Sequence, residues 1–207
     1  MKDGEKPYYA QTMHQAYLTI AANAYLKYTL INKQTAYYKY ANTLDSLRMH
    51  LFFAHQRREQ LIISIIFSAL CLEAFINHYA ISNFDKSYFN NYIESLPIKK
   101  KWMIIPKLIT GKSFKMGSQE MTKLKSLFDM RDKLVHYKTI FYKSFDHYKS
   151  SDTEATRIVS AIKAKNALLA VSSCIKGLKK LDPEVDSAWI KNALDPLVEN
   201  SLLKLNL

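Results

Sequence analysis

Arg131 and His136 lie five positions apart in a lysine-rich segment, and these two residue types can together cleave RNA without a metal ion. The imidazole transfers protons near neutral pH, and the guanidinium stabilises the negative charge that builds on a phosphate under attack. Arg and His also meet at this spacing by chance in many helices, so the alternative is a surface pair with no chemical role. The pair becomes informative only if the rest of the chain positions it.

On a helix, this spacing turns the two side chains about 140° apart, so Arg131 and His136 do not share a face. Asp132 and His136 are four positions apart and do share one. Asp132 can therefore accept a hydrogen bond from one imidazole nitrogen and leave the other for chemistry, with an ordinary surface contact as the alternative. Arg131 must curl back along the surface or serve a site completed by another chain. A two-fold dimer would place two Arg and two His around one cleft.

Glycine and proline are rare in this chain, which has 4 Gly and 5 Pro in 207 residues and neither type between Pro7 and Pro97. A sheet protein with tight turns does not tolerate such a run. The apolar fraction of 48% and the charged fraction of 23% are ordinary for a globular protein with one core. We therefore predict an all-α fold in a single domain over residues 1–207.

The helical pattern predicts a core over about residues 55–180, with N-terminal helices over 10–55 and a C-terminal helix over 186–207 packed on it. Asn32 is expected to break the first helix, and a loop is expected over 110–118. The predicted helices cover about residues 11–31, 34–57 with a continuation over 59–81, 118–142, and 153–181 with Asp152 or Thr153 as its N-cap. A last helix is expected to start near Asp186 or Ser187 and to be kinked or ended at Asp195-Pro196.

The net charge of +12 is concentrated in one block of the chain. Between Lys99 and Lys149 there are thirteen Lys and Arg against four Asp and Glu, and the Arg131 to His136 segment lies inside this block. Concentrated positive charge favours a polyanionic partner through counterion release and electrostatic steering. A solvated lysine surface, or a patch for an acidic partner protein, would have the same composition.

Cysteine usage and hydropathy predict a cytoplasmic protein without a membrane span. Cys71 and Cys174 lie in apolar helical patterns, as free thiols do in a reducing compartment. The N-terminal residues lack the apolar core of a signal peptide. The apolar run from Leu61 to Leu72 is short of the roughly 18–20 residues that cross a bilayer, and it predicts a buried central helix.

The segment from Phe67 to Asn77, taken together with Arg131 to His136, resembles the HEPN family, the helical nucleotide-binding domains of prokaryotes and higher eukaryotes. The family's hallmark is an Arg, four to six residues and a His, often with Asn or Asp directly after the Arg, as Asp132 is here. An apolar upstream helix is common in the family, and its pattern is matched by Ala69, Glu73, Ala74 and Asn77. The resemblance covers roughly residues 55–180 and implies a HEPN-type helical bundle.

Many members of this family are dimeric, metal-independent endoribonucleases, and some are toxins or anti-phage effectors paired with an antitoxin. The resemblance implies that His136 takes the proton of an RNA 2′-hydroxyl while Arg131 stabilises the phosphorane-like transition state, which yields a 2′,3′-cyclic phosphate. It implies no cofactor and no metal, and Lys133, Tyr137 and Lys138 are expected to contact RNA. One branch has Tyr two residues after the His. Here Lys138 occupies that position, so the resemblance to that branch is incomplete.

Glu73 and Asn77 lie four apart on a helix that otherwise favours burial, so Glu73 is expected to meet a cation or a hydrogen-bond donor. Arg131 is the candidate partner, and a supporting structural role for both residues is favoured over direct chemistry. The remaining histidines are scattered without a carboxylate that would complete a metal triad. Gly111-Lys112-Ser113 lacks the earlier glycine and the strand of a phosphate-binding loop.

Tyrosine is dense near the N-terminus, where such rings can stack on unpaired bases but more often pack between helices. The function that these features predict is metal-independent RNA cleavage by a two-fold dimer. The first alternative is a non-catalytic helical module that binds RNA or a protein through the basic block. A further alternative is a toxin whose partner covers the site or modifies Tyr137.

Overall fold

The computed structural model describes residues 13–38, 43–136 and 159–203 of the chain. Within these ranges every regular element is helical, which confirms the all-α prediction. A π-helical turn, Phe89–Ile93, directly follows the short helix Lys86–Tyr88. The helices are α1 (His14–Tyr38), α2 (Leu44–Ile81), α3 (Lys86–Tyr88), α4 (Ile98–Thr110), α5 (Gln119–Val135), α6 (Ala161–Leu181) and α7 (Ala188–Glu199).

The long helix α2 is the centre of the bundle, since α1, α4, α5 and α6 all pack against it and α7 packs against α1. Burying a large apolar side chain contributes about 1.5–3 kcal/mol, and the core collects such side chains from every long helix. Cys71 and Cys174 are buried free thiols in this core, as predicted. The largest fully buried side chains include Leu18, Ile65, Leu72, Ile76, Trp102, Phe128, Leu168 and Ile175.

The boundary between α1 and α2 differs from the prediction. Asn32 does not end the first helix, which continues to Tyr38. The Asn32 side chain instead accepts a hydrogen bond from Arg57 Nη1 at 2.9 Å, which links α1 to α2. The low helix propensity of Asn is worth only a few tenths of a kcal/mol, so packing along α2 outweighs it. The second helix begins after Thr43, whose capping box with Ser46 marks the start.

By length and composition, α2 is long and apolar enough to cross a membrane, with a mean hydropathy of 1.9 over its most apolar window. Half of the residues in that window are buried inside the protein. Such burial is compatible with the core helix of a soluble protein, and the buried residues between Leu61 and Leu72 agree with the prediction of a buried central helix there.

The elements that flank the candidate site begin and end mostly near the predicted positions. The loop over 111–118 lies between α4 and α5 as predicted, with positive φ angles at Gly111 and Gly117. Helix α5 ends at Val135 rather than near 142, and His136 is its C-cap at φ −104° and ψ 33°. Residues 137–158 lie outside the described part of the chain.

The last two helices also depart from the predicted boundaries. Helix α6 begins at Ala161 because the Ser160 side chain caps it through Lys163 N, so the predicted start at Asp152 or Thr153 is wrong for this helix. It ends before Asp182, as predicted. Helix α7 continues through Pro196 to Glu199, because a proline within a helix removes one donor but does not have to end the helix.

Candidate functional site

Arg131 projects from α5 onto α2 and is held there by two carboxylates. Its Nη2 donates to Glu73 Oε2 at 3.2 Å, and its Nη1 donates to Asp132 Oδ1 at 2.9 Å. The guanidinium lies 5.5 Å from the centre of the Phe128 ring, close enough for a cation–π contact. The Arg131 side chain keeps 25% of its surface exposed. The predicted partner of Glu73 is thereby confirmed, and the two segments that carry the family resemblance are in direct contact.

One turn further along α2, Asn77 meets a second cation. Lys101 Nζ, from α4, donates to Asn77 Oδ1 at 2.9 Å and lies 5.9 Å from the centre of the Phe89 ring. Lys101 is only 5% exposed, which is rare for a lysine. Glu73 and Asn77 are thus each satisfied by one basic side chain from a neighbouring helix.

Sequence reasoning treated Lys101 only as one charge of the basic block, although its spacing carried a signal. Lys101 is three positions after Ile98 and four before Ile105, so it falls on the apolar face of α4. Burial lowers the pKa of Lys101, and the nearby carboxylates of Glu73 and Glu94 oppose that shift. Lys101 therefore serves the interior of the bundle and not its basic surface.

His136 lies exposed at the C-terminal end of α5. Its backbone N–H donates to Asp132 O at 2.9 Å, which closes the last turn of the helix. Among the described residues no hydrogen bond joins the His136 ring to the Asp132 carboxylate, whose Oδ1 accepts one from Arg131. The hydrogen bond expected between Asp132 and His136 is therefore replaced by one between Asp132 and Arg131.

Arg131 and His136 do not contact each other within the described chain. The Arg131 guanidinium faces α2, whereas the His136 ring faces solvent at the helix end. This agrees with the expectation that the pair does not share a helix face. Lys133 is exposed on the last turn of α5. Tyr137 and Lys138, the other two residues expected to contact RNA, lie outside the described residues.

Only part of the basic block is available as positive surface charge. Lys99 Nζ forms an ion pair with Asp129 at 2.7 Å, and Lys107 Nζ donates to the Gly111 carbonyl at 2.6 Å at the end of α4. The exposed lysines of the block whose side chains have no hydrogen bond or ion pair among the described residues are Lys100, Lys112, Lys115 and Lys133.

An open cleft of about 640 Å³ lies between α5 and α6, next to the turn that carries Arg131. Lys125, Lys133 and Lys163 line it together with a single carboxylate, that of Asp129. Polar groups of Thr122, Ser126 and Asn166 complete the lining. The charge and hydrogen-bonding groups of this cleft suit an anion.

Comparison with known proteins finds no relative: no protein-family model, no curated protein and no solved structure matches the chain. The likeness to the HEPN family therefore rests on the quoted residues and on their arrangement. Chemically, that arrangement combines an oriented guanidinium, an accessible imidazole and a lysine-lined cleft along one helix.

Proposed function

We propose that this protein is a metal-independent RNA endonuclease of the HEPN type that works as a two-fold dimer. The observation that carries the proposal is the 3.2 Å ion pair between Arg131 and Glu73. It joins the two segments of the chain that resemble the family, although 57 residues lie between Glu73 and Arg131 in the sequence. The pair orients a guanidinium while leaving a quarter of the side-chain surface free.

In the proposed reaction, His136 takes the proton of an RNA 2′-hydroxyl, and the freed oxygen attacks the adjacent phosphorus. The bond from phosphorus to the 5′-oxygen breaks, and the partner's His136 protonates that oxygen as it leaves. The products are a 2′,3′-cyclic phosphate and a 5′-hydroxyl. Glu73 and Asp132 occupy Nη2 and Nη1 of Arg131, and the remaining N–H donors are free to bind the charge on the phosphate.

RNA would enter along the lysine-lined cleft between α5 and α6 and reach the end of α5. Lys133 lines that cleft, and Lys138 and Tyr137 follow His136 directly in the chain. We place the protein in the cytoplasm, where its two free thiols stay reduced. A role as a toxin or anti-phage effector, with an antitoxin that restrains it, belongs to the same proposal.

The test is incubation of the purified protein with mixed cellular RNA in EDTA, followed by analysis of the fragment ends. Acid–base catalysis contributes about 10²–10⁴ in rate, so His136→Ala should lower cleavage by that factor. His55→Ala is the matched control, because His55 is an exposed histidine like His136 but lies on α2, where it pairs with Glu59 at 3.3 Å. Full cleavage by His136→Ala would contradict the assignment.

The second candidate function is a non-catalytic module that binds RNA. It is favoured by the engagement of both Nη atoms of Arg131 with carboxylates and by the absence of contact between Arg131 and His136 in the described chain. Such a module would retain RNA affinity in His136→Ala, and its affinity would fall steeply with salt. Salt-dependent binding without any cleavage by the wild type would select this function.

A further inference from the structure

A second cleft, of about 280 Å³, lies apart from the candidate nuclease site. It opens between the first turn of α1, the last turns of α2 and the loop that joins α6 to α7. Glu73, Asn77, Arg131 and His136 are not among its lining residues. Whatever this cleft binds is therefore held independently of the proposed RNA cleavage.

The inner wall of the cleft is aromatic. The ring of His14 packs edge-on against Phe75 at 5.2 Å and Trp189 at 4.9 Å, and it stacks on His78 at 5.4 Å. Trp189 is held in place because its Nε1 donates to the Asp186 carbonyl at 3.2 Å. Such a wall offers the electron-rich ring faces that attract organic cations, and Trp attracts them best.

The mouth of the cleft is acidic, which sets it apart in a chain of net charge +12. Asp182, Glu184 and Asp186 line it, and no described Lys or Arg does. Asp182 accepts a hydrogen bond from Tyr79 Oη at 2.6 Å, and Asp186 Oδ1 accepts from Ala188 N at 2.9 Å. The carboxylate of Glu184 forms no hydrogen bond or ion pair among the described residues. The mouth therefore carries negative charge without a basic partner.

The two imidazoles of the cleft do not neutralise this charge. Burial, aided by the neighbouring His78, lowers the pKa of His14 to about 4, and the carboxylate of Asp186 opposes the shift. Burial also lowers the pKa of His78. At neutral pH both rings are uncharged, so the field in the cleft is that of its carboxylates.

His14 supplies an independent indication of a missing ligand. His14 is 4% exposed, and its Nδ1 has no hydrogen-bond partner among the residues that the structure describes. Buried polar atoms in folded proteins are nearly always paired, and exceptions mark sites where a further group binds. Among the described residues no group of three or more His, Cys, Asp and Glu could hold a metal ion, so an organic donor fits better.

We propose that this cleft binds a small organic cation, an alkylammonium or guanidinium compound. The carboxylates at the mouth balance its charge, the Trp189 and Phe75 rings pack on its carbon chain and cationic head, and an N–H of the ligand donates to His14 Nδ1. The volume fits a molecule of only a few heavy atoms and excludes a folded partner. The three carboxylates repel phosphates, so this is not a second RNA site.

The experiment titrates the full-length protein with putrescine and agmatine, and with 1,4-butanediol as the uncharged counterpart of putrescine. Calorimetry and tryptophan fluorescence are the readouts, since one of the 2 tryptophans, Trp189, lines the cleft. Saturable binding of an amine, at least about tenfold tighter than that of butanediol, is expected. No saturable binding at millimolar concentration, or equal binding of the diol, would overturn the proposal.

Matched variants locate the binding. Asp186→Asn keeps an oxygen for the cap of α7 but removes the charge, and it should weaken amine binding about tenfold. His14→Phe should weaken it as well, because the ring is kept and Nδ1 is lost. Glu199→Gln, at the far end of α7, is the control and should bind as the wild type does. Unchanged affinity in Asp186→Asn would also overturn the proposal, whereas RNA cleavage is expected to be unaffected by all three variants.

Discussion

Two groups of polar side chains on α2 differ in whether neighbouring helices supply them with partners. Glu73 and Asn77 each receive a basic side chain, Arg131 from α5 and Lys101 from α4. At the position directly after Asn77, His78 stacks on His14 in a cleft whose carboxylates meet no Lys or Arg from the described lining. The first group is satisfied by the fold itself, and the second leaves hydrogen-bonding capacity for a ligand.

This contrast shows how to distinguish a positioning role from a binding role on one helix. Where partners are complete, as around Arg131, substitution should disturb orientation and stability. Where a partner is missing, as at His14 Nδ1, substitution should change binding and the response to pH while the fold persists. Three experiments test this difference between the two groups.

The largest expected effect is the acid sensitivity that His14 confers. Its pKa is about 4 in the folded protein and 6.5 in an exposed histidine, so between these values the unfolded chain binds a proton that the folded protein does not. The free energy of unfolding should therefore fall by about 3 kcal/mol as the pH decreases from 7 to 4. Urea denaturation across this range should show the fall in the wild type and a smaller one in His14→Phe. Equal pH profiles would contradict the role given to His14.

The next effect concerns Lys101. Lys101→Ala removes a buried stem and leaves Asn77 Oδ1 without its donor, so the free energy of unfolding should fall by about 2–3 kcal/mol. Lys100→Ala is the matched control, because Lys100 is the exposed neighbour on the same helix and should change stability by less than about 0.5 kcal/mol. If the two variants lost the same free energy of unfolding, Asn77 Oδ1 would have to accept its hydrogen bond from another donor.

The smallest effect on stability is expected at Glu73. The ion pair of Glu73 with Arg131 is partly exposed, so Glu73→Gln should cost no more than about 1 kcal/mol. If the pair orients Arg131 for chemistry, RNA cleavage should fall more than the loss of stability explains. Asp45→Asn, which breaks the exposed pair of Asp45 and Arg48, should change neither quantity. If RNA cleavage by Glu73→Gln falls only as far as its lower stability explains, the ion pair of Glu73 and Arg131 is a structural contact.

Helix existence could be read from the sequence, while several helix boundaries could not. The absence of Gly and Pro over a long run predicted the all-α class, and the apolar run around Leu61 predicted the buried central helix. Asn32 was expected to end α1, but side-chain hydrogen bonding to Arg57 and packing on α2 outweighed its weak propensity. The start of α6 was missed because the Ser160 cap competes with equally good caps at 152 and 153.

Within the candidate site, the pairing of Glu73 with Arg131 could be predicted because a carboxylate on an otherwise buried helix requires a cation or a donor, and the family resemblance joined its segment to the one that carries Arg131. The partner of Asp132 could not. The sequence pattern pointed to His136, four positions further on, whereas the donor to Asp132 in the structure is its chain neighbour Arg131.

Residue types and their periodicity were sufficient to specify the helical class, the buried thiols and the concentration of positive charge, because each of these depends on local pattern or on composition. The tertiary structure alone decided which group the buried Lys101 meets, which carboxylates remain without cations and where His14 lies. Those properties depend on which helix faces meet, and the contacts between faces distant in sequence are set by the packing of the whole bundle.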